Sequence, residues 1–244
     1  MAKATIRSVT LKVQPRRATV DPCGPVEVTA RGSCVLLHGW GSVGPDMGRL
    51  CTRLMKLPSG ARWNFYTSTY ETHSETFAQA AKHLYPKIRV LTRPLILLGY
   101  SMGSLVSRQM IMDGLPIKAL VTICGPHLGL NWIPPVDAGT WSMQAYSPVL
   151  KKLNDSPKER GHRKLYHWFA ISCHDRGGEH PDDGVVRVPS ALGIDLGIDL
   201  GPVAERVKIR LEYDGRIAGV DPHHRGMDPD RLGPLLDTCS KLLR

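Results

Sequence analysis

The sequence predicts an α/β domain with a mostly parallel central sheet flanked by helices. Two observations carry that expectation. The runs 33–37, 95–98 and 120–123 are short and nearly continuously apolar, which fits strands covered on both faces. Helix-like segments fall between such runs, and strands alternating with helices imply right-handed βαβ crossovers. A length of 244 residues suits one domain spanning 1–244.

Taken in order, strands are expected at 5–13, 26–30, 33–37, 63–67, 95–98, 120–123, 168–172 and 207–213. Thr72-x-x-Glu75 reads as a capping box that opens a helix through Phe77 and Leu84, with Pro86 ending or kinking it. A second helix runs from Met102 to about Met112, where Asp113-Gly114 and Pro116 stop it. Residues 130–165 interrupt the alternation with two tryptophans, Pro134-Pro135 and a short helix near 146–153. That insertion is long enough to form a cap or lid. The tract 193–201 repeats Gly-Ile-Asp-Leu and is too short for a solenoid, so it is read as a loop or irregular edge. A last helix closes the chain over 229–243.

Composition narrows the partners. Apolar residues make up 42% of the chain, enough for a sizeable core, and the net charge is +10. The Lys and Arg residues are dispersed, aromatics are only 6%, and no nucleic-acid motif accompanies them, so the charge reads as a solvated basic surface. No stretch approaches the roughly 20 apolar residues that span a bilayer, and the basic N-terminus lacks a signal-peptide core. Integral membrane association is not expected, and the simplest location is cytoplasmic. The six cysteines (23, 34, 51, 124, 173 and 239) lack metal-site spacing. Cys34, Cys124 and Cys173 fall on apolar runs as small buried thiols, and no structural disulfide or metal is expected.

The chemistry concentrates at Gly99-Tyr100-Ser101-Met102-Gly103. A strand runs straight into this Gly-x-Ser-x-Gly and a helix follows, the context of a nucleophile elbow. Upstream, 35–41 ends an earlier strand with His38-Gly39-Trp40-Gly41. If the two strands are close and parallel, this loop and the elbow meet at the carboxyl edge of the sheet, where open α/β sheets bind ligands. The backbone N–H groups of Trp40 and Met102 then form an oxyanion hole, and the side chain of His38 shapes the loop. The acid comes from a loop after Ser101 and before a histidine, with Asp175, Asp182 and Asp183 as candidates. The base comes from the loop after the last strand, which holds His223 and His224. Trp132, Ile133, Trp141 and Met143 give the insertion an apolar face suited to acyl chains.

At these motifs the sequence resembles bacterial lipases and related esterases of the α/β-hydrolase superfamily. The resemblance rests on 36–40 (Leu-Leu-His-Gly-Trp), 99–103, Gly-Pro-His-Leu-Gly at 125–129 and Asp-Gly-Val-Val-Arg-Val-Pro-Ser-Ala at 183–191, with a weaker match at 147–154. It implies an α/β-hydrolase fold and cleavage of a small-molecule or lipid ester through an acyl-enzyme. It also implies Asp183 as the acid, and His224, in His-Arg-Gly-Met, as the base. His127 resembles a lipase loop residue of structural role. The pattern departs from the calcium-dependent lipases, because Gly226 stands where they place an acidic ligand. No cofactor is implied.

Other readings stand beside this one. Gly39-Trp40-Gly41-Ser42-Val43-Gly44 matches a dinucleotide fingerprint, with Glu71 after the next strand, but that leaves the elbow unexplained. An acyltransferase, thioesterase or lactonase shares the acyl-enzyme, and a non-catalytic binding protein leaves the Ser, Asp and His candidates idle. Transient contact with a lipid surface is compatible with the charge, although no amphipathic anchor is visible.

Overall fold

The computed structural model describes residues 18–131, 133–173, 183, 185–195, 197–211 and 229–244. In chain order its strands are β1 (Thr19–Pro22), β2 (Gly32–Leu37), β3 (Trp63–Thr69), β4 (Leu95–Tyr100), β5 (Ala119–Ile123), β6 (Tyr166–Cys173), β7 (Ile194–Asp195), β8 (Ile198–Asp199) and β9 (Glu205–Leu211). Seven of them form one sheet in the order β1-β3-β2-β4-β5-β6-β9. All neighbours in it are parallel except the edge pair β1 and β3.

Helices cover both faces, as the apolar strands require. They are α1 (Gly48–Met55), α2 (Phe77–Ile88), α3 (Met102–Met112), α4 (Ala138–Ser142), α5 (Pro148–Asp155), α6 (Pro157–His162), α7 (Val188–Leu192) and α8 (Gly233–Leu242). Successive strand residues face opposite sides. Val35, Leu37, Leu95 and Leu97 pack with α2 and α3, whereas Cys34, Leu36, Ile96 and Leu98 pack with α1 and α8. Each central strand is therefore buried on both sides, which is why it reads as an unbroken apolar run.

Several expectations are corrected. Residues 26–30 form no strand: Val26 and Val28 are 53% and 96% exposed, with no surface to cover them. The edge position belongs instead to β1; the strand expected at 5–13 lies outside the described residues. The helix α2 starts one turn later than Thr72-x-x-Glu75 suggests, because Thr76 and Gln79 make the capping box. Thr72 is otherwise engaged, its hydroxyl accepting from the Gly41 amide at 3.1 Å. Pro86 does not end α2, which continues to Ile88 with the proline on its exposed side. The repeated Gly-Ile-Asp-Leu unit folds as the β7–β8 hairpin, pairing Ile194 with Asp199. Positive φ values of 64° and 71° at Gly193 and Gly197 supply its bends.

The cysteines differ too. Cys23 and Cys51 form a disulfide across 28 positions. The Cys23 amide bonds to the Phe65 carbonyl at 2.9 Å, placing this segment over α1, whose inner face carries Leu50, Cys51 and Leu54. Sequence spacing could not show the pairing without α1. Cys34 and Cys124 are buried free thiols, as expected, and so is Cys239.

The insertion between β5 and β6 carries α4, α5 and α6 and is fastened to α3 by buried charge. Arg108, in the middle of α3, donates from Nε to Glu159 Oε1 at 2.7 Å and from an Nη to Asn154 Oδ1 at 2.8 Å. Arg163 donates to Glu159 Oε2 at 2.7 Å. Arg108 and Glu159 are both wholly buried.

Candidate active site

The end of β4 turns sharply into α3 at Ser101, whose φ of 50° and ψ of −120° lie far from ordinary helix or strand values. Such a conformation costs on the order of 1–3 kcal/mol and persists only where the surroundings impose it. Here the Ser101 amide donates to the Ile123 carbonyl at 2.8 Å, and its carbonyl accepts from the Ser104 amide at 3.0 Å. The flanking glycines have a steric cause. A Cβ on Gly99 would stand 2.6 Å from the Ser104 nitrogen, and one on Gly103 would stand 2.4 Å from the Leu37 carbonyl oxygen.

The upstream loop meets the elbow. Strands β2 and β4 are parallel neighbours with Leu37 opposite Gly99. A Cβ on Gly39 would approach the Ser101 Cβ to 3.0 Å. Residues 39–42 form a turn closed by the Ser42 amide on the Gly39 carbonyl at 3.4 Å, with Gly41 at φ 71°. Among the described residues, neither the Trp40 N–H nor the Met102 N–H has a hydrogen-bond acceptor. The latter is expected at the first residue of a helix. His38 is buried within this loop: Nδ1 donates to the Gly39 carbonyl at 2.7 Å, Nε2 accepts from the Tyr70 amide at 3.3 Å, and its ring stacks on Tyr70. Burial pushes the Tyr70 hydroxyl well above its ordinary pKa.

Asp137 ties the insertion to this loop. One carboxylate oxygen accepts from Trp40 Nε1 at 2.9 Å and from His73 Nδ1 at 2.8 Å; the other accepts from the Thr140 amide at 2.8 Å and caps α4. Partial burial pushes Asp137 upward, but the bonds from Thr140, His73 and Trp40 outweigh it and hold the carboxyl below its ordinary range.

Between Ser101 and the insertion lies a cavity of about 120 Å³, lined by Trp40, Leu130, Ile133, Met143 and Val185, among others. Met143, one of the expected substrate contacts, is among these lining residues. Trp141, on α4, is 39% exposed and is not among the described lining residues. Trp132 lies outside the described residues. Asp183 is buried and accepts through Oδ1 from the amides of Val185 and Val186 at 2.9 and 2.6 Å. Val185, one of the two residues whose amides hold this carboxylate, lines the cavity. The candidates Asp175, Asp182, His223 and His224 lie outside the described residues, as does Gly226.

No family sequence model matches the chain, and no curated protein matches it in sequence. Solved structures do. The mature form of Bacillus licheniformis lipase BlEst2 aligns with a TM-score of 0.56 at 14% identity, covering 91% of this chain and 98% of that one. Paleococcus ferrophilus monoacylglycerol lipase aligns with a TM-score of 0.55 at 11% identity, covering 92% and 98%. A carboxylesterase structure from the thaumarchaeon Nitrososphaera gargenis gives 0.54 at 14% identity, covering 92% and 95%. The chain has the α/β-hydrolase fold.

Within this hydrolase fold, two features of the dinucleotide reading are occupied otherwise. Gly39 faces the elbow, and the Glu71 carboxylate accepts from the amides of Thr72 and His73, each at 2.9 Å. His127 is a buried structural residue. Nδ1 faces an Nη of Arg108 at 3.4 Å, Nε2 pairs with the Thr122 hydroxyl at 3.1 Å, and the ring stacks on Trp168 at 4.3 Å. Burial first, then Arg108, Arg163 and Arg206, holds its pKa well below the ordinary value. Sequence reading missed the anchoring role of Asp137, although Asp137-x-x-Thr140 is a visible capping pattern. It also missed the Arg108–Glu159–Arg163 cluster, whose residues read as surface charge. No helix among the described residues is long and apolar enough to cross a membrane.

Proposed function

We propose that the protein is a serine carboxylic-ester hydrolase, an esterase or lipase, with Ser101 as nucleophile. The observation that supports this most is the elbow itself: a serine held at φ 50° beside two N–H groups that lack acceptors among the described residues. In this reading His224 takes the Ser101 proton as Oγ attacks the acyl carbon, and Asp183 orients the imidazole and stabilises its charged form. The amides of Trp40 and Met102 receive the oxyanion, and losing one such donor typically costs roughly 3–4 kcal/mol of barrier. The imidazolium returns that proton to the leaving oxygen and the alcohol departs; water, deprotonated by the same imidazole, then releases the acid and restores Ser101. The substrate is a small-molecule or lipid ester. Thioesters, lactones and transfer to a second alcohol use the same acyl-enzyme, and a competing alcohol in the assay separates transfer from hydrolysis. Residues 130–165 act as a cap over Ser101. The Cys23–Cys51 disulfide favours an oxidising compartment over the cytoplasmic location expected from the sequence.

The test is turnover of p-nitrophenyl esters by wild type and Ser101→Ala. Near-complete loss in the variant is expected, together with inactivation of the wild type by serine-directed organophosphates. Equal turnover by the two proteins would remove the assignment.

A further inference from the structure

We infer that the enzyme is selective for esters of short, unfunctionalised acyl groups, of about four to six carbons at most; this rests on the Ser101 nucleophile proposed above. The cavity beside Ser101 holds about 120 Å³. An apolar protein cavity of about 150 Å³ accommodates benzene, so a chain of similar carbon count nearly fills this one. Sites for larger ligands usually offer roughly 300 Å³ or more.

One part of the cavity wall is fixed in place. Leu130 and Met143 are both 3% exposed, and the Leu130 amide donates to the Met143 carbonyl at 2.8 Å. The Ala145 amide returns a bond to the Leu130 carbonyl at 3.3 Å. A chain that pushed these two side chains apart would have to break this backbone pairing. Besides Ser101 and Tyr100, the wall carries the hydroxyls of Thr140 and Ser42, and both are committed. Thr140 Oγ1 donates to Asp137 Oδ1 at 2.8 Å, and Ser42 Oγ donates to Asp46 Oδ2 at 2.6 Å. Neither is turned to a polar acyl substituent, so the wall offers apolar contact and penalises a buried charge.

The enclosed space suits the acyl arm rather than the alcohol. The acyl group stays attached to Ser101 through both halves of the reaction, whereas the alcohol must depart before water enters. A small apolar cavity beside Ser101 therefore serves the part that stays.

The experiment measures kcat/KM for p-nitrophenyl esters from acetyl to dodecanoyl, with Ser101→Ala as blank. Misfit in an apolar pocket is worth roughly tenfold or more per methylene, so a drop of at least that size is expected between butanoyl and octanoyl. The singly charged succinyl ester should fall roughly a hundredfold below butanoyl. Met143→Ala should move the optimum to longer chains, and Ile133→Phe should move it towards acetyl. Alkyl acetates, which vary only the alcohol, should differ little. A profile that is flat or rises to dodecanoyl, with turnover still dependent on Ser101, overturns the inference and leaves the nucleophile standing. A length limit on the alcohol series alone also overturns it. Turnover independent of Ser101 removes both. If Met143→Ala does not fold, the wild-type series and Ile133→Phe decide.

Discussion

The substitution Asp137→Asn tests whether the insertion positions the loop around Trp40. The carboxylate accepts on both sides, from Thr140 N on one oxygen and from Trp40 Nε1 and His73 Nδ1 on the other. Asparagine keeps the shape but has one oxygen. With that oxygen on Thr140, its NH₂ faces the Trp40 N–H; with the amide flipped, it faces the Thr140 N–H. Either way at least one donor loses its acceptor, at a cost of about 1–3 kcal/mol each. If half of this loosens the 39–42 turn, turnover falls roughly 2- to 13-fold, since 1.4 kcal/mol is about tenfold. The assay is kcat and KM with a short p-nitrophenyl ester, where kcat should carry most of the loss. Trp40→Phe, which removes Nε1 together with the rest of the five-membered ring, should lose at least as much, and the double variant should lose little more than Trp40→Phe alone. Because hydrogen bonds hold the Asp137 carboxyl below its ordinary value of 3.8, the contribution of this contact is complete above that value and fades as pH falls through the lower folded one. Wild-type kcat in Asp137→Asn, or strict additivity with Trp40→Phe, would refute the reasoning.

Glu159→Gln leaves Arg108 and Arg163 buried without a counter-charge and should destabilise the protein by about 3–5 kcal/mol in urea unfolding. Burial pushes Glu159 up, yet Arg108 and Arg163 hold it below its ordinary 4.5, so wild type should lose stability as pH falls below that value while the variant shows a flatter acid limb. Reducing Cys23–Cys51, or replacing both with Ser, should cost about 3–4 kcal/mol for a loop of this length, read as a drop of about 10 °C in Tm. For the acid and base, Asp183→Asn should lose far more activity than Asp175→Asn or Asp182→Asn, and His224→Ala more than His223→Ala; the reverse ranking in either set reassigns that role.

What the sequence disclosed follows from how locally each feature is encoded. The central strands were legible because burial on both faces writes an apolar run directly into 33–37, 95–98 and 120–123. The elbow was legible because Gly99 and Gly103 answer to backbone atoms within 3 Å of their missing Cβ atoms. The helix α1 escaped because two turns with three buried residues give too little periodicity, and with it went the disulfide. Asp137, Arg108 and Glu159 escaped for another reason. The partners that fix them across the fold stand 46 to 97 positions away, and a charged residue looks the same in sequence whether water or an opposite charge surrounds it. Asp183 was named from its motif, and the two amides that hold its Oδ1 come from that same motif.

The most direct measurement is the site of covalent capture. Wild-type protein inactivated by a fluorophosphonate should yield one modified peptide after digestion, with the added mass on Ser101 and none when the ester substrate is in excess. Inactivation with the mass on another residue, or full inactivation with Ser101 unmodified, would contradict a nucleophile at the tip of β4.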